Sequence, residues 1–494
     1  MLKAKKLFRT EPGRIVSLFL AICLGFVSPA VRSVAEVLTE TDCGREPVER
    51  ETEIIRLMNL NLRYILNDWW YEEKGYAYAS TTNFNDADCS LTEEQSLAVK
   101  RSAQSFAGWR NADELSILYL NREQAENGIR PLAHAVYCIS LALYGGYYDE
   151  EITGISAADA EAMCIKLISA VTGEHRSNHP GAPEDRYWGD SWQSPLWTEN
   201  IGLGAWLLRD RMDPEIYEQA ERLVLDEART VMDEYEIPYY RDANGMIIYP
   251  GDTKAEEIAW DAKVLALARL MFPDSEERPG WEDKLERMLV AATAMPEDVG
   301  SDRLVDGRKV STMISGSNIN EDGTLVNHDR IHIDYMATVL EEMGDTIVLY
   351  RIAGEPAPEA AVFNLDKIYR ALIEVDLGEY NESHSGQNFY IRDGNGQPTG
   401  NVGMPGESDW GKAGYAIYYL CDVMADTLKL DADIDEPFKA RVWEELHFGK
   451  MCEQINRKAD NKAVGQFFLP DENTFVSAET FLMHNLAEAY ALIK

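Results

Sequence analysis

From Val48 to the C-terminus, apolar residues recur at helical spacing over stretches of roughly 15 to 20 positions, each closed by a polar loop rich in Gly, Pro, Asp or Asn. Strand-like alternation is scarce. The pattern predicts helices over Arg50–Asn67, Leu91–Phe106, Ile129–Tyr144, Ala157–Val171, Pro195–Arg209, Pro214–Glu234 and Lys254–Met271. It continues with Trp281–Ala294, Asp334–Met343, Leu365–Ile373, Lys412–Leu428, Pro437–Asn456 and Ala478–Ile493. Start signals agree with several of these. Thr253 followed by Glu256 reads as a capping box, in which hydroxyl and carboxylate satisfy free backbone NH groups, and Asp252 favours the same terminus. Pro214 and Pro437 sit at early helical positions, where a missing NH costs nothing. The long irregular pieces, Gly173–Ser194, Tyr239–Gly251, Pro296–Asn327 and Leu377–Asp409, are where binding and catalysis are expected.

No composition break divides the helices, so residues 36–494 read as a single all-α domain. A helix-pair period of about 60 to 75 residues, with some twelve helices, fits two concentric helical rings, the (α/α)6 toroid. Ahead of it, Lys3, Lys5, Lys6, Arg9 and Arg14 precede an uncharged apolar run from Ile15 to Val31. That is the pattern of a signal peptide over residues 1–35, so a secreted, periplasmic or cell-surface protein with no membrane association after cleavage is expected.

Charge narrows the partners. The chain carries 85 Asp+Glu against 47 Lys+Arg, a net −38, which argues against a surface that tracks nucleic acid. Without residues 1–35, which hold six bases and the acid Glu11, 84 acids face 41 bases, or −43. An anionic polymer then needs a locally basic cleft, for which Arg330, Lys254, Arg392 and Lys412 are available. Six cysteines follow the leader (Cys43, Cys89, Cys138, Cys164, Cys421 and Cys452), none in a CxxC pair. Cys43 with Cys89 and Cys138 with Cys164 are the expected disulfides, with buried free thiols as the alternative for the second pair. No Rossmann glycine fingerprint, P-loop or HExxH motif is present, so no cofactor and no metal are expected.

Three clusters carry candidate chemistry. Asn327, His328, Asp329, Arg330, His332, Asp334 and Tyr335 follow the turn Glu321-Asp322-Gly323. On a helix, His328 and His332 lie one turn apart and Tyr335 continues their stripe. Such groups suit β-elimination from a uronate. Asn or Arg neutralises the carboxylate, an imidazole or tyrosinate takes the C5 proton, and an acid serves the leaving oxygen. Trp188, Asp190, Trp192, Gln193, Trp197, Glu199 and Asn200 combine indole faces with amides and acids, the composition of a saccharide subsite, with Asn200 suited to grip a carboxylate. The third cluster, Asp252, Lys254, Glu256, Glu257 and Asp261, offers carboxylates for a hydrolase as well as caps and a solvated face. The loop Glu382–Trp410 contributes Trp410 to the same expected cleft, and its Asp393-Gly394-Asn395-Gly396 reads as a turn rather than a calcium loop.

The segments Trp188–Leu208, Tyr249–Met271 and Glu321–Met336 resemble those of secreted toroid polysaccharide lyases of the chondroitin, hyaluronan and heparinase kind. Asp322, Gly323, Thr324, His328 and Tyr335 are similar in order to that family's Asp-Gly-Ser turn, His and Tyr. The resemblance implies β-elimination of a uronic-acid polysaccharide. It implies Tyr335 or His328 as base, His332 as partner acid, and Asn200, Asn327 or Arg330 at the carboxylate. Trp188, Asp190, Trp192, Gln193, Trp197, Glu256, Asp261 and Trp410 would line the subsites. A toroid glycoside hydrolase using paired carboxylates and a non-catalytic glycan-binding protein are the alternatives.

Overall fold

The computed structural model describes residues 50–69, 125–182, 187–189, 191–376, 388–403, 414–457, 464–468 and 476–494. The chain is predominantly helical there. The α-helices are α1 (Arg50–Arg63), α2 (Ala125–Gly145), α3 (Glu150–Thr153), α4 (Ala157–Gly173), α5 (Ser194–Leu208), α6 (Pro214–Glu234) and α7 (Ala255–Met271). They continue as α8 (Arg278–Thr293), α9 (Ile333–Ala353), α10 (Leu365–Glu374), α11 (Tyr415–Leu428), α12 (Ala440–Ile455) and α13 (Val476–Ile493). Strands are short and form only two-stranded antiparallel ladders among the described residues.

Most expected helices lie within a few residues of the observed ones, and α6 matches at both ends because Asp213 caps it and Pro214 opens it. The expected Leu91–Phe106 helix lies outside the described residues. Two boundaries differ. The helix expected to stop at Met343 runs on to Ala353, through Gly344 and Asp345, because its polar residues turn inward instead of ending it. Pro437 is not an early helical residue, since α12 begins at Ala440. The brief α3, capped by Asp149, is too short for periodicity to reveal.

Residues Ile54–Lys494 form one compact unit. Within it, α2 packs on α5, α5 on α7, α7 on α9, α9 on α11, α11 on α13, and α13 returns to α2. Helices of this circuit are buried on nearly every face. Fourteen of the fifteen residues of α5 are buried, as are 17 of the 21 in α9. By contrast α6, which packs on α5 and α7, buries one stripe (Ala220, Leu223, Val224, Glu227, Ala228 and Val231) and shows the rest to water. Four helices of the circuit share a direction. Trp192, just before α5, meets Trp260 in the second turn of α7, with ring centroids 5.4 Å apart. Tyr418, in the first turn of α11, donates to Asp334, in the first turn of α9, at 2.7 Å. Asn327, shortly before α9, donates to Glu256 in the first turn of α7 at 2.8 Å, so the N-termini of α5, α7, α9 and α11 lie at one end.

Cys138 on α2 and Cys164 on α4 are free, buried thiols, not a disulfide. The Cys164 Sγ instead lies 3.8 Å from the Val136 carbonyl, and burial pushes both thiols up. Cys43 and Cys89 lie outside the described residues. No helix among the described residues is long and apolar enough to cross a membrane.

Candidate functional site

The His/Tyr cluster assembles by a different route from the expected helix. Val326–Asn327 and Arg330–Ile331 form an antiparallel hairpin, with Val326 opposite Ile331 and Asn327 opposite Arg330. His328 and Asp329 make its two-residue loop, both left-handed, with φ of 51° and 61°. Positive φ at both loop positions is the twist that suits a tight hairpin, and Asn and Asp around the loop favour it over helix. The hairpin is tied to the loop before α7: Asp329 N donates to Gly251 O at 3.0 Å, and Thr253 N donates to Val326 O at 2.7 Å. Gly251, at φ 80°, leaves room for the Asp329 carboxylate, with which a Cβ would collide.

His332 then occupies the N-cap of α9 and Tyr335 its first turn. The three rings converge in space although not on one helix face. Centroid separations are 5.8 Å for His328 and His332, 5.4 Å for His328 and Tyr335, and 4.7 Å for His332 and Tyr335. The Tyr335 Oη stands 3.4 Å from His328 Nε2. His328 is exposed, Tyr335 half-buried and His332 buried, with its Nδ1 3.9 Å from the Asp334 carboxylate.

The start of α7 lies against the hairpin. The expected capping box is not formed: Lys254 holds the N-cap position, and the buried Thr253 hydroxyl has no partner. Glu256 instead accepts from Asn327, whose Nδ2 lies 2.8 Å from Glu256 Oε1 and 3.3 Å from Asp252 Oδ1. Burial pushes the Glu256 carboxyl up to about 8, with Asp252 and Glu257 adding to the rise against its own backbone NH and Lys254. Asp261, one turn further, is buried and held well above the ordinary range by burial, with smaller contributions from Glu257 and Glu227. Lys254 is committed to Asp252 at 2.8 Å and Glu257 at 3.1 Å, so it is not a spare cation. Arg392 donates to Ile373 O at 2.9 Å and lies over the Phe438 ring, which removes it too. Arg330, on the hairpin strand facing Asn327, is half-buried.

The expected saccharide subsite separates into surface and interior. Trp192 is 51% exposed, with the edge of Trp260 behind it. Trp188 is buried against His175, its Nε1 donating to Val171 O at 2.8 Å, and Trp197 is fully buried. Neither presents a ring face to a sugar. Gln193 is buried and accepts from Arg130 at 3.3 Å. Asn200 is fully buried, its Nδ2 donating to Glu199 at 2.8 Å and Leu196 O at 3.3 Å. It cannot grip a substrate carboxylate, because α5 has neighbours on every side. Asp190, Trp410 and Lys412 lie outside the described residues. The Asp393 run forms a turn, with Asp393 Oδ1 accepting from Asn395 N and Gln397 N at 2.8 Å each.

One group of ionisable residues escaped the sequence reading. Midway along the helices, Lys263 lies 2.6 Å from both Asp345 and Glu342, and His484 lies 3.2 Å from both Glu341 and Asp345. The available signal was a lysine inside the apolar run of α7 and acids four apart inside α9. No protein-family model, curated protein or solved structure matches the chain.

Proposed function

We propose that this chain is an (α/α)6-toroid polysaccharide lyase that cleaves a uronic-acid-containing glycan by β-elimination. The closed circuit of six buried helices, flanked by helices with one buried stripe, supports the toroid. The observation that carries the chemistry is the Tyr335–His328 pair, 3.4 Å apart and open to solvent, at the end where the N-termini gather. In this reading Tyr335, deprotonated toward His328, removes the C5 proton. The C5–H electrons form the C4–C5 double bond, the C4–O bond breaks, and the leaving oxygen takes a proton from the imidazolium or phenol. Arg330 neutralises the uronate carboxylate, which makes the C5 proton more acidic. Asn327 spends its amide hydrogens on Glu256 and Asp252, so it positions the hairpin rather than the substrate. His332 packs beneath Tyr335 and orients it. Trp192 offers the stacking platform. The basic leader pattern supports a secreted, periplasmic or cell-surface location for such an enzyme.

A panel of polysaccharides followed by ultraviolet absorbance tests this reading, because elimination creates an absorbing unsaturated uronide. Tyr335→Phe and His328→Ala are expected to lose about 10²- to 10⁴-fold in rate. Uronan cleavage that survives both substitutions unchanged rejects the site.

A glycoside hydrolase is the second reading, favoured by Glu256. A carboxyl pushed up to about 8 has the protonation of a general acid, and Asp252 and Glu257 place two further carboxyl groups beside it. Reducing ends formed without ultraviolet absorbance would select it, and binding without cleavage would select a glycan-binding protein.

A further inference from the structure

Five acidic side chains, Glu199, Glu341, Glu342, Asp345 and Glu488, are buried together midway along the helix circuit with Lys263, His134 and His484. Lys263 is taken up by Asp345 and Glu342, and the two oxygens of Asp345 by Tyr137 at 2.9 Å and Lys263 at 2.6 Å. The cluster is closed off from solvent, where a carboxyl group without a partner is costly to keep.

Glu488 singles out where a ligand belongs. It is fully buried and neither carboxylate oxygen has a hydrogen-bond partner. Gly344 on α9, between Glu341 and Asp345, makes the room for it, since a Cβ there would collide with Glu488 Oε1. One donor atom each from Glu341, Asp345, His484 and Glu488 lies within 4.8 Å of the others. His484 Nδ1 is 3.2 Å from Glu341 Oε1 without hydrogen-bond alignment. Two ligands on a common ion at about 2.1 Å, subtending roughly 100°, stand about that far apart.

We propose that this cluster is a binding site for one divalent transition-metal ion of the zinc or manganese class, held by Glu341 and Glu488 carboxylates and His484 Nδ1. Asp345, fixed by Tyr137 and Lys263, faces His484 Nε2 at 3.2 Å and orients the ring as an outer partner. Mixed imidazole and carboxylate ligands select these ions over calcium and magnesium. The sequence shows no metal motif because Glu341 and the pair His484 and Glu488 come from helices far apart in the chain. The proposal does not depend on the lyase reading.

The test strips the full chain with a chelator, removes the chelator, and titrates Zn²⁺ and Mn²⁺ separately. Bound metal is counted by elemental mass spectrometry and Tm is followed by calorimetry. One ion per chain and a rise in Tm are expected, with Glu488→Gln weakening binding at least 100-fold. Glu227→Gln, which disables the separate His175, Asp226 and Glu227 group, should leave binding unchanged. Absence of stoichiometric metal from the wild type, an unaffected Glu488→Gln, or loss of binding in Glu227→Gln each overturns the site. Should Glu488→Gln not fold, the wild type decides by its Co²⁺ spectrum, where N/O ligation supports the site and a spectrum of hydrated Co²⁺ rejects it.

Discussion

Replacing Glu256 with glutamine separates the charge of a buried carboxyl from the geometry it maintains. The glutamine side chain would keep an oxygen for the Asn327 amide, now 2.8 Å away, and so preserve the tie between α7 and the hairpin. What changes is ionisation. Burial, helped by Asp252 and Glu257, raises the Glu256 carboxyl from an ordinary value of 4.5 to about 8. Between those values the folded chain holds a proton that the unfolded chain has released. Stability therefore falls as pH rises from about 4.5 to 8 and levels off above. At about 1.36 kcal/mol per pKa unit, the whole fall is at most about 5 kcal/mol. Glutamine has no such slope. In urea unfolding, Glu256→Gln and wild type should agree within about 1 kcal/mol near pH 5, whereas near pH 8.5 the variant should be more stable by about 2 to 5 kcal/mol. An equal difference at the two pH values would show that Glu256 is ionised in the fold, and would refute both the burial argument and its use as a general acid.

The two classes of tryptophan should separate cleanly. Trp197→Ala empties a fully buried site and should cost about 3 to 5 kcal/mol of stability by denaturant titration. Trp192→Ala should change stability by no more than about 0.5 kcal/mol while raising KM for the glycan about fivefold with kcat nearly kept, because it removes a platform rather than a reacting group. Alkylation in denaturant without reductant should label both Cys138 and Cys164, as read by peptide mass; protection of the pair until reductant is added would contradict their free state.

Helical periodicity was legible because it is local. For α6, the spacing of Leu223, Val224, Ala228 and Val231, with Asp213 and Pro214 ahead of it, contains both boundaries and the buried face. The candidate pair was legible in part. His328, His332 and Tyr335 are close enough along the chain to be grouped, but the left-handed loop at His328 and Asp329, not a helical stripe, aims them together. Polar residues inside the circuit were misread or missed, since a pattern equates polarity with exposure. Asn200 looked like a substrate ligand, and Lys263 and Asp345 had no reading at all. Lys263 and Asp345 meet 82 positions apart, and Tyr137 and Asp345 meet 208 apart. Whether a charged side chain faces water or another helix depends on which helix covers it. That covering exists only once α2, α5, α7, α9, α11 and α13 have packed in sequence around one another.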